Sequence, residues 1–148
     1  MQYLLTGSAL LQLAMRDNNP MKTWLADKPM QRYRMSVIGI GMARSAIDAR
    51  STGLLRENWH KALDQRINTL QSEGGRAIAI DEGIIDKWML VRRMDLTRQG
   101  KDGPEQIGQD MRLDIAVALA LGLTLVEPVQ PYHAQLKAAG MNQIESIV

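Results

Sequence analysis

The sequence predicts an α/β domain with a central, mostly parallel sheet of four to five strands, on three observations. First, Asp110–Val129, DMRLDIAVALALGLTLVEPV, begins with apolar residues spaced three and four apart and continues after Gly122 into the apolar run LTLV. That pattern is typical of a buried helix, a glycine stop and a strand buried on both faces. Second, other short apolar runs alternate with helical segments along the chain. Third, 148 residues with 45% hydrophobic content suffice for a single domain over residues 1–148.

The amino-terminal part of the chain predicts two strands, each followed by a helix. Gln2–Leu5 (QYLL) is the first strand, and Ser8 can cap the helix ALLQLAMR. Asn19 and Pro20 suit the cap and first turn of a second helix. Arg32–Ile38 (RYRMSVI) alternates as a strand does, and its continuation GIGMARSAIDAR becomes helical.

The remaining elements alternate in the same way until the last strand. In chain order they are a long amphipathic helix from about Leu54 to Gly74, a short strand Ala77–Ile80, a helix capped by Asp81, the Asp110–Val129 unit, a helix Tyr132–Ala139 and the edge strand NQIESIV. One segment, Thr97–Gln109, is polar and rich in glycine, so it predicts a mobile loop.

Composition excludes several classes of protein. Without cysteine the chain can have neither a disulfide framework nor a thiolate metal site, which fits a cytoplasmic protein. No run is long enough to cross a membrane, and the start MQYLLTGSALLQLAMR lacks the features of a signal peptide. The net charge of +2 is too small to indicate nucleic-acid binding by itself.

The expected working site lies beyond the carboxyl ends of the parallel strands. In this chain those ends are Thr6-Gly7-Ser8, Gly39-Ile40-Gly41-Met42, Asp81-Glu82 and Glu127-Pro128.

Four segments, in order, resemble the PIN-domain family and, within it, the VapC-type toxins of toxin–antitoxin modules. MQYLLTGSALLQLAMR is similar to the family's YLLDTNVLSEL, RYRMSVIGIGMARSAIDA to LYLSVITIGELRRGI, GRAIAIDEGIIDKWMLVRR to LPFDEAAALAWGRLRA, and LDIAVALALGLTLVEP to DALIAATALAHGLTLVTRN. The resemblance covers nearly the whole chain. It implies a PIN-like three-layer α/β/α domain, a homodimer and a small antitoxin-like partner.

The resemblance also implies where chemistry should occur, and there the sequence departs from the family. PIN toxins hold one or two divalent cations with a carboxylate cluster, and the metal activates the water that cuts RNA. Thr6, Met42 and Met111 stand at three of those acid positions. Because none of them can carry a negative charge, we expect no metal, no cofactor and no catalysis. The sequence thus predicts an inactive binding or regulatory relative that binds a partner segment, or an RNA that it does not cut.

An alternative remains open on displaced acids. Asp110, Asp114 and Glu127, with Asp81 as a further candidate, could rebuild the site of an active Mg²⁺- or Mn²⁺-dependent endoribonuclease. Asp110 and Asp114 bracket Met111 on one helical face, although acids at a helix start more often serve as caps. The number of converging carboxylates separates the two hypotheses: an enzyme needs about three and a binding module needs none.

Some motifs and residues of the sequence give weaker signals. Gly39–Arg44 could be the loop of a dinucleotide-binding module, but it lacks the third small residue of that motif. His60 and His133 are expected to be surface or packing histidines. The basic residues Arg92, Arg93, Arg98 and Lys101 form the densest basic patch, which could meet phosphates, although a solvated helix end is the commoner role of such residues. For the homodimer, Met21, Trp24 and Leu25 are the expected contacts.

Overall fold

The computed structural model describes residues 1–148 and contains seven helices and six strands. The helices are α1 (Gly7–Ala14), α2 (Pro20–Ala26), α3 (Val37–Arg50), α4 (Gly53–Gly74), α5 (Glu82–Val91), α6 (Gln109–Leu121) and α7 (Pro131–Ala138). The strands are β1 (Tyr3–Leu5), β2 (Tyr33–Arg34), β3 (Thr97–Gly100), β4 (Gly103–Gln106), β5 (Thr124–Pro128) and β6 (Ile144–Ile147). A short 3-10 turn, Met30–Arg32, precedes β2.

Four strands form a parallel sheet in the order β2-β1-β5-β6. Alternate residues of the central strands point to opposite faces, as the period of a strand requires. Leu5 and Val126 belong to a core shared with α1–α4, whereas Leu4 and Leu125 belong to a second core shared with α5, α6 and α7. The predicted α/β class, with a parallel sheet between two helical layers, is therefore confirmed.

Several predicted boundaries were wrong for local reasons. Thr6 rather than Ser8 caps α1, because its hydroxyl accepts the N–H of Ala9. The strand predicted over Arg32–Ile38 ends early, because the hydroxyl of Ser36 caps α3 by accepting the N–H of Gly39 at 2.9 Å. A cap residue ends the strand and starts the helix at the same point.

The predicted strand Ala77–Ile80 is reduced to one parallel bridge. Ile78 alone pairs with Ser36, where its N–H donates to Met35 at 2.8 Å and its carbonyl accepts from Val37 at 3.0 Å. The bridge extends the sheet edge beside β2 by a single residue. No helix is long and apolar enough to span a membrane.

The segment Thr97–Gln109 is not the predicted mobile loop. It contains the antiparallel hairpin β3–β4, and the buried Arg112 of α6 holds that hairpin against α5. The guanidinium donates to the carbonyls of Val91 at 2.7 Å and Met94 at 2.9 Å, and to the side-chain oxygen of Gln106 at 2.7 Å. The composition of Thr97–Gln109 indicated a loop because the residue that holds the hairpin, Arg112, lies outside this segment.

Two glycines let α1 and α3 meet at their amino-terminal ends. A Cβ on Gly7 would lie 2.7 Å from the Cβ of Met42, and a Cβ on Gly39 would lie 3.1 Å from a carboxylate oxygen of Asp114. Gly39 and Gly41 both lie inside α3. A dinucleotide-binding loop requires these glycines to lie between a strand and a helix, so that hypothesis is wrong. Gly39 is instead explained by the close approach of α3 to α1 and α6.

The dimer contacts expected from the sequence are also wrong in part. Met21 and Leu25 are only 1% and 5% exposed, because both pack in the core beneath α2. Trp24 is partly buried against the rings of Tyr3 and Tyr33, with centroids 5.2 and 5.7 Å apart. Apolar residues of this helix serve the domain's own core.

Replacing Arg112 by Lys should lower the free energy of unfolding by about 2 kcal/mol or more, since one ammonium cannot reach all three acceptors and leaves buried oxygens unpaired. Urea denaturation measures the change. Arg93→Lys, an exposed arginine at the end of α5, is the matched control and should change little. Equal stability of the two variants would mean that Arg112 does not anchor the hairpin.

Candidate functional site

Several of the positions singled out in the sequence converge on one narrow cavity at the carboxyl ends of β1 and β5. Its walls comprise Thr6, Ser8, Met42, Met111, Asp114, Ile115, Glu127 and Tyr132. The volume open to the centre of a water molecule is about 10 Å³, roughly the space for one water. Thr6, Met42 and Met111, the positions at which the sequence resemblance leads us to expect acids, are thus close together.

Glu127 is the centre of a buried hydrogen-bond network at this cavity. The carboxylate is 2% exposed and accepts from three side chains. The Thr6 hydroxyl donates at 2.8 Å, the ring Nε2 of His133 lies at 2.8 Å, and the Tyr132 hydroxyl donates to the same oxygen as His133. A buried carboxylate is tolerated only with such donors.

His133 is oriented by its second ring nitrogen. Nδ1 accepts the backbone N–H of Gln130 and lies 2.6 Å from the Ser146 hydroxyl. Because Nδ1 must accept, the ring proton belongs on Nε2, where it faces Glu127. A neutral imidazole therefore satisfies every partner. The sequence predicted a surface or packing role for His133 and gave no link between Glu127 and either His133 or Tyr132. The only signal in the sequence is that both residues follow β5 within one helical turn.

Burial raises the pKa of Tyr132 above its ordinary value, and the negative charge and hydrogen bond of Glu127 raise it further. The phenol therefore keeps its proton, which it donates to Glu127.

Asp114 forms hydrogen bonds to the amino-terminal ends of α1 and α3. One carboxylate oxygen accepts the Ser36 hydroxyl at 2.7 Å, and the other accepts the N–H of Gly7 at 3.1 Å. The pKa of Asp114 is raised to about 7, mainly by burial and to a smaller extent by the charges of Glu127 and Asp110, while these two hydrogen bonds oppose the shift. The side chain thus links α6 to the starts of α1 and α3.

The other candidate acids do not reach the cavity. Asp110 is exposed, and its carboxylate accepts the N–H of the next residue, Met111, at 2.8 Å. Asp81 is also exposed and caps α5 by accepting the N–H of Ile84 at 3.0 Å. Of the four acids considered in the sequence, the structure brings together only Asp114 and Glu127.

These residues do not fit a Mg²⁺ or Mn²⁺ site. Such ions need several hard oxygen ligands, preferably charged, whereas Met42 and Met111 offer soft thioethers. Both available carboxylates already accept protein donors. No group of three His, Cys, Asp or Glu side chains converges as a metal site would require.

No protein-family model matches the chain, and no curated protein matches its sequence. Solved structures do match its fold. FitAB bound to the IR36 DNA fragment shares 18% identity over 98% of this chain and 94% of that chain, with a TM-score of 0.70. VapBC2 from Rickettsia felis, bound to a DNA fragment from its promoter, shares 16% identity over 100% of both chains, with a TM-score of 0.69.

A third matching structure is that of a toxin that cleaves the sarcin–ricin loop. VapC20 from Mycobacterium tuberculosis, a sarcin–ricin loop cleaving toxin, shares 14% identity over 97% of this chain and 99% of that chain, with a TM-score of 0.65. Identities this low show a common fold rather than a common activity. The chain therefore has the PIN-domain fold of the VapC and FitB proteins of toxin–antitoxin systems.

Proposed function

We propose that this protein is a catalytically inactive binding or regulatory relative of VapC-type toxins. One observation carries the proposal: Glu127, the acid at the end of β5, is enclosed by Thr6, Tyr132 and His133. A carboxylate that accepts three protein donors has little capacity left for a cation. Metal-dependent hydrolysis requires metal, activated water and a screened phosphate together, so losing the ligands removes the reaction.

The alternative, an active endoribonuclease, would require a rearrangement of the cavity. Asp110 would have to move inward, and Glu127 and Asp114 would have to leave their donors. These features favour the binding hypothesis over the enzyme.

Partners follow by analogy with the structural neighbours. FitAB and VapBC2 are two-component assemblies that were solved with DNA. By analogy, this chain would act in the cytoplasm as a homodimer with an antitoxin-like protein, and its cleft would bind a partner segment or hold an RNA without cutting it. The side chains Ile85, Met89 and Leu90 of α5 are apolar and exposed, so they are available to a second copy, whereas Met21 and Leu25 are buried.

The raised pKa of Asp114 predicts a pH-dependent stability. Because the folded protein binds this proton more tightly, the contribution is fully present below about pH 4 and is lost as pH rises through about 7. Asp114→Asn should remove up to about 4 kcal/mol of that pH dependence. Urea denaturation at pH 4.5 and pH 8 checks it, with the exposed Asp86→Asn as control. If the free energy of unfolding changed by the same amount between the two pH values in the wild type and in Asp114→Asn, the prediction would be contradicted.

The wild-type protein should not cleave RNA in a fluorogenic assay with Mn²⁺. Thr6→Asp alone should not restore cleavage, since two ligands are still missing, and the new carboxylate would lie beside Glu127 and repel it. Combining Thr6→Asp with Met42→Glu and Met111→Asp should rebuild a family-like cluster. Wild-type cleavage that disappears in Asp110→Asn or Asp114→Asn would instead establish the alternative enzyme.

A further inference from the structure

A groove on the protein surface adjoins the cavity. It offers about 340 Å³ to water-sized molecules, far more than the cavity beneath it. Its apolar part is formed by Leu11, Met42, Ala46 and Met111. Met42 and Met111 also line the cavity, so groove and cavity share these two side chains as part of their walls.

The apolar part suits an aliphatic side chain of variable shape. Leu11 is almost fully buried, while Met42 and Met111 are half-buried. Methionine is unbranched and adaptable, and it recurs on protein surfaces that accommodate apolar peptide segments. This part of the groove would therefore accept an apolar anchor residue.

The polar part of the groove is cationic. Arg50, at the end of α3, is exposed and forms no ion pair. Arg98, on β3, contacts Glu105 at 3.0 Å, but both side chains are half exposed, and such a pair is weak enough to exchange for another carboxylate. No acidic side chain lines the groove.

The chemistry of the groove favours a peptide over RNA. Single-stranded RNA is usually held by aromatic side chains on which bases stack. No aromatic side chain lines this groove, and Tyr132 lies in the cavity below and is buried. Two separate arginines beside an aliphatic pocket instead match carboxylates that flank an apolar residue.

We propose that this groove binds an acidic peptide segment, with an aliphatic anchor between Met42 and Met111 and carboxylates at Arg50 and Arg98. The inference rests on the proposed binding function and specifies the partner's chemistry. A cleft rich in free carboxylates would select a basic segment. Here the acids are enclosed and the exposed charges are positive, so the preferred partner has the opposite charge.

The test begins with selection from a random 12-residue peptide display library on the immobilised full chain. Selected sequences should be enriched in Asp and Glu next to Leu, Ile or Met. A fluorescein-labelled selected peptide should bind in anisotropy titrations, and the double variant Arg50→Glu/Arg98→Glu should weaken its Kd about tenfold or more. Arg50→Gln/Arg98→Gln should give a smaller loss in the same direction. Arg93→Glu, outside the groove, is the matched control and should not change Kd.

Selection of basic or uncharged peptides, no enrichment, or unchanged affinity in both double variants would overturn the inference. So would a labelled 12-nucleotide oligouridine that binds this groove more tightly than the selected peptide. The cleavage assay separates the two proposals: RNA cleavage by the wild type rejects the proposed function, whereas basic peptides selected by a non-cleaving protein reject the acidic partner alone.

Discussion

The structure depends most strongly on the free-energy cost of burying the carboxylate of Glu127, which is 2% exposed. An isolated buried charge is unstable, so the fold must supply donors around it. Thr6 comes from the end of β1, and Tyr132 and His133 come from the first turn of α7. Through Ser146, His133 extends the network to the edge strand β6. The hydrogen bonds of Glu127 thereby connect β5 with the end of β1 and with α7, and through His133 with β6.

The same constraint determines what the cleft can do. In a metal-dependent nuclease, the acids at strand ends stay available to a cation, and their mutual repulsion is balanced by the metal. Here Glu127 and Asp114 are balanced by protein donors, and Met42 and Met111 occupy the remaining space. Gly7 and Gly39 permit this closure, since a Cβ at either position would crowd Met42 or Asp114. The donors that stabilise the buried carboxylates are thus the same groups on which the proposal of an inactive site rests.

The sequence predicted the fold well because the fold depends on local patterns. Apolar periodicity and the Gly122 stop identified α6 and β5, and Gly122 does adopt a left-handed φ of 65°. Features that depend on distant partners were not predictable. The polar composition of Thr97–Gln109 predicted a loop, whereas this segment contains a hairpin held by Arg112. The strand predicted at Ala77–Ile80 pairs with the sheet only through Ile78.

The site was predicted in part, for the same reason. Counting back from β5 brought Met111 correctly to the cavity, but only the three-dimensional structure reveals that Asp114, one turn further along α6, reaches the starts of α1 and α3. The partnership of Glu127 with Tyr132 and His133 depends on how α7 turns back over β5. Such a turn leaves no periodic signal in the sequence.

The most direct test of this account is the stability of Glu127→Ala. If Glu127 is a structural group, the variant leaves three buried donors unpaired and should lose about 3 kcal/mol or more of unfolding free energy in urea. Glu145→Ala, an exposed acid on the adjacent strand β6, is the control and should change little. If the carboxylate were instead a free ligand awaiting a cation, its removal would relieve repulsion, and an unchanged or higher stability of Glu127→Ala would contradict the account.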